Sequence, residues 1–122
     1  MTQATYREAA QKALAMFQKA GIVLTEQEKE QIEVADLGLN DVYHTGLQLV
    51  TYVNTLRCCA KELVLLPHQT CPEHGHPPFG DYPGKEETFR CRYGEVYLYV
   101  EGQATQNPQA VPPEGSEAFY TV

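Results

Sequence analysis

The sequence predicts a mainly β chain, a small β-barrel preceded by N-terminal helices. From Leu47 onward, β-branched, aromatic and aliphatic residues form short segments separated by proline- and glycine-rich loops, which is typical of strands. Before about residue 40, the apolar residues instead recur at helical spacing. We therefore expect a single domain, with an N-terminal helical segment over residues 1–40 and a barrel portion over residues 41–122.

Two helices are predicted in the first segment. The apolar side chains that share one face of the first helix are Tyr6, Ala10, Ala13, Leu14 and Phe17. Gly21 stands where a glycine ends such a helix. Thr25 followed by Glu28 has the spacing of a capping box, and predicts a second helix that continues to about Val34.

Five segments have the composition of strands. They are QLVTYVNT (48–55), RCCAKELVLL (57–66), ETFRCRY (87–93), EVYLYV (95–100) and AFYTV (118–122). Gly94-Glu95 predicts a hairpin turn between the third and fourth segments. Only four strands precede the last segment, whereas a closed small barrel needs about eight. We therefore expect a partner chain, or the rest of a longer protein, to complete the barrel.

Charge and composition exclude several classes of function. The net charge is −7 and the nine basic residues are scattered, which disfavours nucleic acid and an anionic membrane surface as partners. No apolar run approaches the roughly 20 residues that span a bilayer, and the polar N-terminus is unlike a signal peptide. The four cysteines contain no CxxC pair, so we expect reduced thiols and a cytoplasmic location.

A candidate metal site is formed by His74, His76 and Glu87. In an extended segment, residues i and i+2 project to the same side, so both imidazoles can reach one ion. Glu87 shares its face of the predicted strand with Phe89, Cys91 and Tyr93, which places its carboxylate on the inner face of a barrel. Two imidazoles and one carboxylate suit Mn²⁺, Zn²⁺, Fe²⁺, Co²⁺ or Ni²⁺. By itself, however, a His-x-His pair is also compatible with two surface histidines.

The spacing of these residues resembles the metal-binding motif of the cupin β-barrels. That motif has a glycine, five residues, His-x-His, a short gap, Glu, six residues and a second glycine. Here Gly94 follows Glu87 after six residues, but His68 replaces the first glycine and ten residues separate His76 from Glu87. The cupin resemblance implies a jelly-roll barrel.

From about Gly46 to its end, the chain resembles the bacterial D-lyxose isomerases, which are cupin sugar ketol-isomerases. The stretch PPFGDYPGKEETFR (77–90), which contains the insertion between the histidine pair and Glu87, carries this resemblance. It implies a divalent ion, usually Mn²⁺, held by three histidines and one glutamate, of which His74, His76 and Glu87 are present. It also implies that Lys61 contacts the sugar, and that the third histidine and the catalytic base lie beyond this sequence.

Several residues have alternative interpretations. Lys61 shares strand parity with apolar residues and is either the sugar-contacting residue or an ordinary strand lysine with its ammonium in solvent. His44 and His68 are candidates for the missing ligand, although loop or surface histidines are the simpler interpretation of both. Cys71 is a candidate soft ligand, although a lone cysteine usually packs as a small hydrophobic residue.

The sequence therefore predicts a metal-dependent isomerase that interconverts D-lyxose and D-xylulose, and D-mannose and D-fructose, as a homodimer. Its small-molecule partner would be the sugar. One alternative is another metal-dependent cupin enzyme, such as a dioxygenase. The other is a non-catalytic, truncated cupin fragment that dimerises through its unpaired strand edges.

Overall fold

The structure is a computed structural model that describes residues 1–113 and 120–121. Its helices are α1 (Gln3–Lys19) and α2 (Glu26–Glu30). An antiparallel sheet contains, in spatial order, β1 (Glu33–Ala35), β2 (Leu47–Asn54) and β3 (Cys59–Val64). A second, parallel pair joins β4 (His74–Gly75) to β5 (Tyr120–Thr121).

The described residues thus form a small mixed arrangement of helix and antiparallel sheet, with about as much helix as strand. The expected mainly β composition is not found in this part of the chain, and its sheets do not close into a barrel. The reason is that a predicted hairpin forms no strands, as described below.

Local capping signals fix both ends of α1. The Thr2 hydroxyl accepts a hydrogen bond from the Thr5 N–H at 3.1 Å. At the other end Gly21 has φ +68°, and the N–H of the following Ile22 donates to the Phe17 carbonyl at 3.0 Å. A glycine adopts this left-handed conformation at little cost, so the predicted helix end is confirmed.

The predicted capping box of α2 is also confirmed, but the predicted length of the helix is wrong. Thr25 Oγ1 accepts from the Glu28 N–H at 3.2 Å, and Glu28 Oε2 accepts from the Thr25 N–H at 2.7 Å. The helix ends at Glu30 rather than near Val34, which pairs with Gln48 in the sheet. Pairing with β2 satisfies the backbone of this β-branched segment, so tertiary contacts prevail over the helical pattern.

The hairpin of β2 and β3 confirms the first two predicted strands. Leu49 pairs with Leu63, and a bulge interrupts the ladder between Thr51 and Val53. Helix α1 packs on the face of the sheet that carries Val50. Buried side chains of this core cluster are Ala13, Phe17, Leu24, Ile32, Val50, Val64 and Leu66. The cluster draws on residues before and after residue 40, so the helical segment and the sheet share one core.

The predicted hairpin of residues 87–93 and 95–100 is wrong, since neither segment forms a strand among the described residues. A bend at Tyr93-Gly94, where Gly94 has φ +77°, replaces the expected turn. Every side chain from Lys85 to Val100 is exposed. A two-stranded hairpin is marginal without a sheet or helix to cover one face, and no such cover is present in the described part of the chain.

The last predicted strand lies partly outside the described residues. Residues 118, 119 and 122 are not described, whereas Tyr120–Thr121 form β5 beside His74–Gly75. Among the described residues, no helix has the length and apolar character needed to cross a bilayer.

Candidate metal centre

Two elements bring the three predicted ligands together. His74 begins β4 and His76 follows directly after it, so extended backbone directs both imidazoles to the same side. Glu87 reaches them from beyond the loop 77–86. The side chains of His74, His76 and Glu87 each offer a donor atom, and these atoms lie within 4.8 Å of one another.

The distances within the group fit one divalent ion after a small adjustment. His76 Nε2 lies 2.8 Å from Glu87 Oε1, and His74 Nε2 lies 4.0 Å from Glu87 Oε2. Two donors bound at about 2.1 Å can be no more than about 4.2 Å apart, so a movement of about half an ångström closes the set. The imidazole rings meet edge to face, with centroids 5.5 Å apart.

Solvent exposure within the group increases from the two histidines to the carboxylate. The exposed side-chain fractions are 13% for His76, 22% for His74 and 39% for Glu87. The imidazoles are thus partly desolvated, while the open side of the group lies at the carboxylate. This arrangement leaves room for a small ligand to approach an ion from solvent.

A backbone carbonyl fixes the tautomer of His74. Its Nδ1 lies 3.0 Å from the carbonyl oxygen of Pro72, which can only accept a hydrogen bond. In the neutral ring Nδ1 therefore carries the proton, and Nε2 presents its lone pair towards Glu87. Metal-binding histidines are commonly oriented by a second contact of this kind.

Cys71 lies beside the group but on its outer side. Its Sγ is 3.9 Å from His74 Nδ1, the nitrogen that faces Pro72, and it is not part of the three-residue group. Burial, and secondarily the charge of Glu87, raise the pKa of the Cys71 thiol. The position of its sulfur outside the three-residue group favours the packing interpretation of this cysteine.

At Gly84, the loop between the histidine pair and Glu87 comes close to the backbone of His76. The φ of Gly84 is +105°, and a Cβ there would lie 2.4 Å from the carbonyl oxygen of His76. Only glycine allows so close an approach of two backbone segments. Gly84 therefore brings the chain back to His76 three residues before the carboxylate.

The structure does not bring the other predicted residues into this group. Lys61 is exposed on β3, where it pairs with Thr51, and its side chain makes no hydrogen bond or ion pair with another described residue. His44 bonds to Asp41 at 2.7 Å, and His68 is exposed. Among the described residues, neither histidine supplies a fourth ligand.

Sequence reasoning did not identify the roles of Pro72 and Gly84. Pro83-Gly84 is a recognisable turn signal, but it does not reveal contact with His76. The contact of the Pro72 carbonyl could not be predicted, because every residue has a backbone carbonyl and the sequence does not show which one will meet a histidine.

The chain is similar in sequence to several known proteins over nearly its whole length. A D-lyxose/D-mannose isomerase of Thermosediminibacter oceani is 63% identical over 116 residues, which are 95% of this chain and 64% of that protein. A D-lyxose ketol-isomerase of Cohnella laeviribosi is 62% identical over 117 residues, covering 96% of this chain and 64% of that protein. No family model matches the chain.

The chain aligns with a larger share of a third relative. A D-lyxose ketol-isomerase of a Thermofilum species is 55% identical over all 122 residues, which are 68% of its length. The chain therefore spans about two thirds of the length of the curated relatives it matches, and slightly less of the first two. At these identities, and with the whole chain aligned, the protein belongs to the D-lyxose ketol-isomerase family.

Proposed function

We propose that this chain forms the metal-binding part of a sugar ketol-isomerase that interconverts D-lyxose and D-xylulose, with D-mannose and D-fructose as a second pair. The observation that carries the proposal is the convergence of two imidazoles and one carboxylate in a chain whose relatives bear these names. We further propose Mn²⁺ as the ion and a homodimer as the assembly.

The proposed reaction moves a proton between adjacent sugar carbons while the carbonyl shifts in the opposite direction. A divalent ion would supply Lewis acidity, stabilising negative charge on the sugar oxygens as the proton leaves. The protein's task is then to hold the ion, orient the sugar and exchange the proton. None of the residues in the described group is free for proton exchange, since all three serve as ligands in this proposal.

The ligand set of this chain suits that chemistry. Two neutral imidazoles and one carboxylate cancel only one of the two positive charges of a divalent ion, so the site remains electrophilic. The contact between Pro72 and His74 keeps one lone pair aimed inward. The exposed carboxylate side of the group leaves room for a sugar. Lys61 is the proposed hydrogen-bond donor to a sugar oxygen.

The proposed architecture is a cupin barrel of which this chain provides one part. The antiparallel β2–β3 hairpin supports it, as do the exposed side chains of residues 85–100. The alternation of polar and apolar residues over positions 88–93 would suit a strand with one covered face. Strands from beyond these residues, or from a second copy, would provide that cover.

The test combines metal content with catalysis on the purified chain. Plasma emission would measure bound Mn²⁺, and an assay would follow D-lyxose conversion to D-xylulose with added Mn²⁺ under anaerobic conditions. Glu87→Gln removes the ligand charge and keeps the shape. Glu86→Gln is the matched control, because it removes the same charge from the neighbouring exposed residue.

We expect near-stoichiometric Mn²⁺ in the parent chain and in Glu86→Gln, and equal turnover in both once a second copy or the remaining residues supply the base. We expect metal affinity in Glu87→Gln to fall by more than the 10- to 100-fold typical of residues that only support a ligand, roughly 100-fold or more. Equal metal binding in the two variants would refute the ligand assignment. Turnover that requires oxygen would instead favour a dioxygenase.

A further inference from the structure

An ion pair ties the segment that carries Glu87 to the antiparallel sheet. The Arg92 guanidinium contacts the Glu62 carboxylate through Nη1 and Oε1. Only 16% of the Glu62 side chain is exposed, compared with 52% for Arg92. The acidic partner is therefore largely desolvated, and its interaction is less screened than that of an open surface pair.

Few other polar contacts hold this segment in place. Positions 83–112 make no backbone–backbone hydrogen bond with another described residue, either in a strand or in a turn. Within the same set, two residues of the segment form hydrogen bonds or ion pairs with the chain before residue 77. They are Glu87, through the two histidines, and Arg92, through Glu62.

Glu62 lies on a strand that is held in place by the sheet and the core. It pairs with Val50 in the β2–β3 ladder. Val50, and Val64 two residues after Glu62 on β3, belong to the core cluster and are 1% and 4% exposed. Arg92 lies five positions after Glu87, so the pair acts on the same short segment as the carboxylate.

We propose that Glu62 and Arg92 are positioning residues that hold Glu87 within reach of His74 and His76. The inference rests on the metal site of the proposed function and extends it to two residues outside that site. Without the pair, Glu87 would be the described residue of positions 83–112 that still makes a polar contact with the chain before residue 77, and metal binding would have to order the stretch around it. The loss should therefore appear in metal affinity.

The experiment measures Mn²⁺ affinity by the electron paramagnetic resonance signal of the free ion, in the full chain. Arg92→Gln and Glu62→Gln each break the pair. Arg90→Gln is the matched control, because it removes the same charge from the same exposed segment two positions away. Arg92→Lys keeps the charge, and the double variant Glu62→Arg with Arg92→Glu reverses the pair.

We expect Arg92→Gln and Glu62→Gln to weaken Mn²⁺ binding by about three- to tenfold, less than the 10- to 100-fold seen for residues that bond a ligand directly. Arg90→Gln should bind like the parent chain. Arg92→Lys and the reversed pair should recover most of the affinity. Urea unfolding of the metal-free variants provides the second readout, since a merely structural pair would lower stability without changing the Mn²⁺ dissociation constant.

The outcomes separate this inference from the proposed function. Equal Mn²⁺ affinity in Arg92→Gln and Arg90→Gln, in a chain that binds the ion, would overturn the positioning role alone. Mn²⁺ affinity that depends on Arg92, in an assembly that includes the base but shows no isomerase activity, would support the positioning role and overturn the proposed reaction. A parent chain that binds no Mn²⁺ would overturn both.

Discussion

At the scale of single residues, the contact between His76 and Glu87 prepares the site for an ion. The Nε2 to Oε1 distance of 2.8 Å is that of a charge-assisted hydrogen bond, with the imidazole donating to the carboxylate. A metal ion would replace this proton between the same two atoms. The donor atoms therefore lie close together in this structure, and an ion between them would require little rearrangement of these side chains.

Gly84 is the residue whose substitution should most directly disturb this preformed geometry. In Gly84→Ala, the new Cβ would meet the His76 carbonyl oxygen at 2.4 Å, in a backbone conformation that side chains disfavour. The loop must then move away from His76. We expect Mn²⁺ affinity to fall by roughly tenfold or more, as for other residues that orient a ligand. Titration monitored by the free-ion signal would measure it.

Gly80→Ala is the control for this prediction. Gly80 also has a positive φ, +57°, but no atom lies within 4 Å of the Cβ it would gain. This variant should lose about 1 kcal/mol of stability from backbone strain and retain its metal affinity. If both variants lost affinity equally, the close approach at His76 would not be the cause.

Lys61 provides a second residue-scale prediction. We expect Lys61→Ala to lower turnover of D-lyxose by about a hundredfold, the usual effect of removing one donor to developing negative charge. Bound metal should be unchanged, because Lys61 is not part of the ligand group. Lys19→Ala, at another exposed lysine, on α1, should leave turnover unchanged. Loss of metal from Lys61→Ala would argue against the assigned role.

At the scale of secondary-structure elements, stability comes from the packing of α1 on one face of the antiparallel sheet. Val50 on β2 is 1% exposed within the core cluster, whereas Val23 in the turn after α1 is 92% exposed. Val50→Ala should therefore lower the free energy of unfolding by about 2–3 kcal/mol, through lost burial and the cavity left behind. Urea unfolding would measure the change.

Val23→Ala removes the same two methyl groups from a position in solvent. Its free energy of unfolding should stay within about 0.5 kcal/mol of the parent chain, as for other surface substitutions. Similar losses in the two variants would mean that the sheet face carrying Val50 does not pack against α1 as the structure has it.

Elements governed by local signals were predictable from the sequence, and those governed by distant partners were not. The capping box at Thr25 and the helix end at Gly21 depend on residues within one turn of the helix. Strand β1 depends instead on pairing of Val34 with Gln48, far along the chain. Residues 87–100 have the composition of strands, but composition alone does not provide the neighbour that a strand needs.

At the scale of the whole molecule, metal binding should stabilise the folded chain. The three ligands come from β4 and from beyond the loop 77–86, so their correct spacing exists only when the chain is folded. Mn²⁺ at 100 times its dissociation constant should raise the free energy of unfolding by about 2.7 kcal/mol. Thermal or urea unfolding with and without Mn²⁺ would measure the difference.

Glu87→Gln should show no such stabilisation at the same Mn²⁺ concentration, and a chelator should reverse it in the parent chain. A parent chain that unfolds identically with and without Mn²⁺ would count against a metal site of useful affinity.

The ligands of the candidate site were predictable from the sequence, because residue type and spacing indicate which side chains can bind a metal ion. His74, His76 and Glu87 were identified from an i, i+2 pair and a carboxylate, and the structure brings them together. The supporting contacts were not predictable. The Pro72 carbonyl, the close approach at Gly84 and the Glu62–Arg92 pair depend on how separate segments meet in space, which spacing does not encode.

The parallel pairing of β4 with β5 has a consequence for how the molecule assembles. His74 pairs with Tyr120, so a loop of roughly 45 residues must close before this ladder forms. The β2–β3 hairpin closes over a few residues and can form much earlier. During refolding, the β2–β3 hairpin should therefore be protected from hydrogen exchange well before the β4–β5 ladder.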